Sequence, residues 1–199
     1  MNTQLVILVS GAPAAGKTTL ATGMAATLNL PLICKDDIKE TLFDALDGPA
    51  ADLAWSRRIG GAAMQVLWRL TERCPAAVVE ANFRPHSKYE QDRLRSLNAR
   101  IIELHCICPA DELVRRFAAR AHTAHAAHPL TELPAGLLAE YDRPMGVGDV
   151  IEVNTAEQVD LSALAAKLVS LVDQATLAMN PAQPHQLAML VRPADSCDT

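Results

Sequence analysis

Aromatic residues make up only 4% of this 199-residue chain, too few for an extended base-stacking platform. Positive charge is also short: 18 Lys and Arg stand against 23 Asp and Glu, a net charge of −5. That argues against a broad nucleic-acid surface, which needs clustered cations, but leaves room for a small basic pocket. The five cysteines are an odd number with no spaced disulfide framework, which points to a reducing, cytoplasmic setting. No apolar run approaches the ~20 residues of a membrane helix. The opening "MNTQLVILVS" lacks the positive flank, long apolar stretch and cleavage site of a signal peptide.

What is present is one domain's worth of core. Half of the residues are hydrophobic, and apolar runs alternate with helical patterns. Strands are predicted at 4–10, 31–34, 76–80, 100–107 and 149–155. Runs such as "QLVILVS" and "AAVVE" are apolar throughout, as strands buried on both faces of a parallel sheet are. Helical spacing predicts helices over 17–28, 37–46, 50–73, 86–99, 110–126 and 161–175. Strands separated by helices need crossover connections, so an α/β fold with a five-stranded, mainly parallel sheet between helical layers is expected. Residues 1–175 are expected to form one domain. Pro129, Pro134 and Pro144 break the pattern across an expected lid at about 110–145. Residues 176–199 carry three prolines and no period, the pattern of a C-terminal tail.

Residues 11–18, "GAPAAGKT", fit G-x-x-x-x-G-K-[ST]. Average composition would produce such a match in a chain this long roughly one time in a hundred, and this one lies between the first strand and the first helix, as a phosphate loop must. Gly11, Ala12, Pro13, Ala14, Ala15, Gly16, Lys17, Thr18 and Thr19 are therefore expected to bind nucleotide phosphates. The glycines let successive amides turn inward, and the helix start adds its positive dipole end. Lys17 reaches the β- and γ-phosphates, and the Thr18 hydroxyl ligates Mg²⁺.

Parallel strands of this type end along one edge, beside the phosphate loop, so the residues after each strand become candidates. Strand two runs into "CKDDIKE". A carboxylate there can accept the proton of an attacking hydroxyl, or it can cap the next helix. Two adjacent aspartates allow one of each, with Asp36 the expected base and Lys35, Asp37 and Lys39 facing the substrate. Strand three ends in "VVEANFRP". It places Glu80 near a metal-bound water, or leaves it a surface charge, and puts Asn82 and Arg84 on a substrate-facing loop. In "DELVRRFAAR", Arg116 and Arg120 share a helix face. They suit either a lid that neutralises developing charge or a solvated basic face, and Asp111 would pair with Arg115. "HCIC" could offer His105, Cys106 and Cys108 to a metal, or pack the two cysteines on one strand face. His122, His125 and His128 likewise suggest a metal site or a mobile lid segment.

Together, "GAPAAGKTT", "KDDIKE", "VVEANFRP" and "LVRRFAAR" resemble the P-loop kinase family of small ATP-dependent phosphotransferases, over about residues 4 to 155. Polynucleotide 5′-hydroxyl kinase, chloramphenicol phosphotransferase and the zeta-toxin kinases belong to that neighbourhood. The resemblance implies a P-loop NTPase three-layer α/β/α sandwich with a helical lid. It implies ATP and Mg²⁺ as cofactors and an alcohol group as phosphate acceptor. Lys17, Asp36, Arg116 and Arg120 would be catalytic. Lys35, Lys39, Glu80 and Asn82 would match the family's acceptor and metal positions, with lysine where arginine and Glu80 where aspartate is usual. The expected acceptor is a small hydroxyl compound or a nucleic-acid 5′-hydroxyl end, and the expected state is a monomer or homodimer. Two alternatives stand beside this reading: an ATPase or nucleotide switch acting through a partner, and a zeta-toxin-like nucleotide-sugar kinase. No Asn-Lys-x-Asp guanine-reading motif is present.

Overall fold

The computed structural model describes residues 4–50 and 52–179. Strands β1 (Gln4–Gly11), β2 (Leu32–Cys34), β3 (Ala76–Glu80), β4 (Ala99–Ile107) and β5 (Asp149–Asn154) form one sheet in the order β2-β3-β1-β4-β5. Every pairing is parallel. Helices α1 (Lys17–Leu28), α2 (Lys35–Ala45), α3 (Leu53–Thr71), α4 (Lys88–Ser96), α5 (Ala110–Ala121) and α6 (Leu161–Met179) supply the crossovers. A short 3₁₀ helix, Leu137–Tyr141, follows α5.

The apolar runs are buried on both faces, as their composition requires. Leu5, Ile7 and Val9 of β1 pack against Leu20 and Met24 of α1 and Leu168 of α6. Val6 and Leu8 point the other way, toward Leu67 and Trp68 of α3 and Leu94 of α4. Each such Val or Leu contributes roughly 1.5–3 kcal/mol through burial, and the two clusters make three layers with β1 at the centre.

Several boundaries differ from the sequence reading. Helix α2 starts at Lys35, two residues early, with Cys34 at its N-cap and no side chain capping it. Asp36 and Asp37 thus occupy the first turn, where the helix dipole favours negative charge, and neither is the cap. Helix α3 starts later than expected because Asp52 caps it, accepting from the Ala54 and Trp55 amides. Helix α5 stops at Ala121 rather than 126, and α6 runs to Met179, past the expected boundary at 175. Residues 180–199, most of the expected tail, lie outside the described residues. Among the described residues no helix is long and apolar enough to cross a membrane.

One buried carboxylate ties the chain beyond the 3₁₀ helix to the sheet. Glu103 of β4 is fully buried. It accepts from Ser10 Oγ, from the Met145 amide at 2.9 Å and from the Gly146 amide at 3.0 Å. Ser10 also meets His105 Nδ1 at 2.9 Å, so His105 is part of this knot and not of a metal site with Cys106 and Cys108. Cys106 sits in the core, and Cys108, just past the end of β4, packs against the same cluster.

Candidate active site

The loop between β1 and α1 has the backbone its glycines suggest. Gly11 has φ +128°, and a Cβ there would lie 2.6 Å from the Cys106 carbonyl oxygen. Only glycine fits. Gly16 is left-handed (φ 78°) at the N-cap of α1, with no side-chain cap on the helix, so the first-turn amides keep their capacity for phosphate oxygens. Ala14 holds φ 66° without being glycine, a conformation that costs on the order of 1–3 kcal/mol and clusters at functional loops. Thr155, just beyond β5, fastens the loop by donating from Oγ1 to the Ala15 carbonyl at 2.6 Å.

Lys17 is buried, and its ammonium donates to the Ala12 carbonyl at 2.8 Å. Burial lowers its pKa, while the charge of Glu80 opposes that shift. Glu80 is 3% exposed at the end of β3, so it is no surface charge. It accepts from Thr18 Oγ1 at 3.3 Å and from Cys34 Sγ at 3.0 Å. Burial raises its pKa and Lys17 counters the effect. Burial and the Glu80 charge push the Cys34 thiol up, which keeps it a donor.

Asp36 receives Lys35 Nζ on Oδ1 at 2.7 Å. Burial alone would raise its carboxyl pKa, but the charge and hydrogen bond of Lys35, with the charges of His128 and Lys17, together outweigh burial and hold it below the usual carboxylate range. It is therefore ionised at neutral pH, the form in which a carboxylate accepts a proton.

A cavity of about 280 Å³ gathers Lys17, Thr18, Glu80 and Asp36 together with Arg116 and Arg120. Arg116 is held by Glu112 (Nε to Oε1, 2.6 Å) and by the Thr155 carbonyl (Nη1 to O, 3.0 Å), and Arg120 lies over the Phe117 ring at 4.8 Å. The two arginines thus line the cavity at the phosphate loop, Arg116 half-buried and Arg120 exposed. Arg115 pairs with Glu112 and not with the expected Asp111. A second, larger cavity of about 1110 Å³ continues from the first. Thr18, Asp36, Asn82 and Arg120 border both.

Two expected substrate contacts are committed elsewhere. Arg84 lines the large cavity, but its guanidinium and amide grip Glu90, bracing its own loop. Lys39 is 6% exposed. Its ammonium donates to Ser56 Oγ at 2.8 Å on α3 and to the Ala127 carbonyl at 2.7 Å. Burial lowers the Lys39 pKa to about 8, with the neighbouring Lys35 charge acting the same way. Lys39 is thus the anchor of the segment beyond α5. His128 and His125 reinforce the anchor through Glu40 at 2.9 Å and Asp44 at 3.1 Å, and the His125 ring sits edge-on to Phe43 at 5.6 Å. Among the described residues no cluster of three His, Cys, Asp or Glu side chains could hold a metal ion; His125 and His128 form a docking contact instead, while His122 is exposed. Sequence reading missed this knot. Its partners, a backbone carbonyl and Ser56, carry no spacing signal.

This all-parallel sheet, with a glycine-bounded phosphate loop opening α1, defines a P-loop kinase-like α/β fold. The chain belongs to the AAA domain family (AAA_33), whose model matches residues 6–143. No curated protein compared with the chain matches it. Among solved structures, a "putative kinase" from Chloroflexus aurantiacus is 29% identical with a TM-score of 0.73, covering 84% of this chain and 98% of its own. Shikimate kinase from Acinetobacter baumannii, in complex with shikimate, shares the fold at 16% identity and a TM-score of 0.56, covering 88% and 97%. The APS kinase CysC of Mycobacterium tuberculosis, in complex with AMPPNP and APS, does so at 16% and 0.54, covering 86% and 99%.

Proposed function

We propose that this chain is an ATP-dependent kinase that moves the γ-phosphoryl group of ATP onto a hydroxyl of a small molecule. The observation that carries the reading is the junction of the two cavities at Asp36. On one side lie the phosphate loop, Lys17 and the two lid arginines. On the other lies space for an acceptor.

The loop amides of Gly11–Thr19 and the Lys17 ammonium hold the β- and γ-phosphates. Asp36, ionised and oriented by Lys35, takes the acceptor's proton as the hydroxyl oxygen attacks. Arg116 and Arg120 cover the transferring group, where charge develops. The Thr18 hydroxyl and the Glu80 carboxylate, 3.3 Å apart beside the phosphate cavity, are hard oxygen donors suited to Mg²⁺ and one of its waters. The metal would supply charge neutralisation on the β/γ-oxygens. Positioning and electrostatics provide most of the acceleration in such chemistry.

The test is a γ-labelled ATP assay that follows two products. Label on a hydroxyl compound supports the kinase. Release of inorganic phosphate alone, stimulated by a protein partner, would support a switch instead.

A further inference from the structure

Helix α3 lines the large cavity with a single face: Leu53, Ser56, Arg57, Gly60, Gly61 and Met64. In the middle of this 19-residue helix, Gly60 and Gly61 are expensive, because glycine is the poorest helix former after proline. Nothing in the chain requires them. Neither has a positive φ. A Cβ on Gly61 would meet no atom within 4 Å, and one on Gly60 would meet Lys39 Cε at an ordinary 3.7 Å. Gly61 lines the cavity bordered by Asp36, and a side chain there would enter open space at its wall. Glycine that neither backbone nor packing needs is the residue that lets a ligand lie against a helix.

The charges around the same cavity narrow what that ligand is. Lys35 is spent on Asp36, Arg84 on Glu90 and Lys39 on the Ala127 carbonyl. Among the described residues, Arg57 and Arg120 are left as cations without an ion pair on this cavity, and Arg120 stands at its border with the phosphate cavity. Asp37 and Glu140 face the same space, and among the described residues neither has a salt bridge. A polyanion would set several phosphates against carboxylates with Arg57 alone to meet them away from the phosphate cavity, where Arg120 stands. The volume, about 1110 Å³, is at the upper end for drug-sized ligands and far exceeds a short linear polyol.

We propose that the acceptor is a ring-bearing alcohol with at most one anionic group, lying flat on Gly60–Gly61 with Arg57 beside it, and that Gly61 sets the size it accepts. This deepens the kinase reading above and rests on it. Four probe pools separate the possibilities: cyclic alcohols (hexoses, cyclitols, aminocyclitols and aryl diols), linear polyols, nucleoside diphosphates with nucleotide sugars, and 5′-hydroxyl oligonucleotides. Each is tested for label transfer from γ-labelled ATP and, separately, for raising the melting temperature of the ADP-saturated protein. The variants are Gly61→Phe, Gly61→Ala and, as a control for bulk, Ala62→Phe, which lies outside the cavity lining.

The cyclic pool should bind and be labelled. Gly61→Phe should raise the acceptor KM at least tenfold while the KM for ATP and acceptor-free hydrolysis stay within twofold. Ala62→Phe should change none of these. Gly61→Ala should melt higher than wild type yet bind the acceptor more weakly, which separates function from folding. Cyclic compounds that bind in a Gly61-dependent way but are never labelled would keep the subsite and remove the kinase reading. Transfer that Gly61→Phe leaves untouched would keep the kinase and overturn the floor. Preferential labelling of polyanions or linear polyols, or no binding by the cyclic pool, would overturn the proposal.

Discussion

Replacing Glu103 with Ala tests how the chain beyond the 3₁₀ helix is held. The carboxylate is fully buried and receives Ser10 Oγ and the Met145 and Gly146 amides, so its removal takes the acceptor from three donors at once. The buried Met145 amide loses its acceptor at a cost of about 1–3 kcal/mol, the amide of exposed Gly146 loses less, and the lost methylenes leave a cavity that adds roughly 1 kcal/mol. Relief of a buried carboxylate offsets part of this, leaving a net loss of about 2–4 kcal/mol. In a domain of this size each kcal/mol moves Tm by roughly 2–4 °C, so a fall on the order of 10 °C is expected in a thermal melt. The effect should be concentrated between the 3₁₀ helix and β5: hydrogen exchange at Met145 and Gly146 should rise well beyond that of β1. Glu103→Gln keeps one acceptor oxygen but turns an amide nitrogen toward a donor, and should fall between the two. A Glu103→Ala melt within about 2 °C of wild type, less than a single kcal/mol would produce, would refute the reasoning.

Three further outcomes follow from the geometry. Gly11→Ala places a Cβ 2.6 Å from the Cys106 carbonyl oxygen at φ +128°; it should destabilise by about 2–4 kcal/mol and abolish ATP binding, checked by melting with and without nucleotide. Glu80→Gln keeps the hydrogen bond from Thr18 but removes the charge that opposes Lys17; it should weaken Mg²⁺-dependent ATP binding far more than metal-free binding, read by titration in both conditions. Lys39 titrates near 8 in the fold against 10.5 for an ordinary lysine. Between those values the unfolded chain binds more protons, so stability gains with rising pH. Lys39→Met should lose that gain, so the wild-type-minus-variant stability should increase between pH 7.5 and 10 in denaturant melts; a pH-independent difference contradicts the buried ammonium.

Legibility in the sequence followed the range of the forces. The strands were readable because burial on both faces leaves runs such as Leu5–Val9 with no polar residue, and the parallel order followed from the intervening helices. The phosphate loop was readable because its amides demand glycine at fixed positions. Asp36, Glu80, Arg116 and Arg120 were placed near it by a topological rule about strand ends, and the structure brings them to one cavity. The start of α2 was misread because Cys34, a residue with no capping preference, stands at its N-cap. Lys39 and Glu103 were not legible as anchors. Their partners are backbone groups 88 and more than 40 residues away, and backbone groups look alike in any sequence. Gly60 and Gly61 carried a local signal, glycine inside a strong helical pattern, but its meaning depends on the empty space beside them.

The central claim is that Asp36 takes the acceptor proton at the point where the phosphate cavity opens into the larger one. Single-turnover transfer from γ-labelled ATP by Asp36→Asn, a substitution that keeps shape and removes basicity, measures this directly. The expected result is a rate lowered by about 10²–10⁴ with nucleotide affinity within a few-fold of wild type. Transfer at the wild-type rate would contradict it.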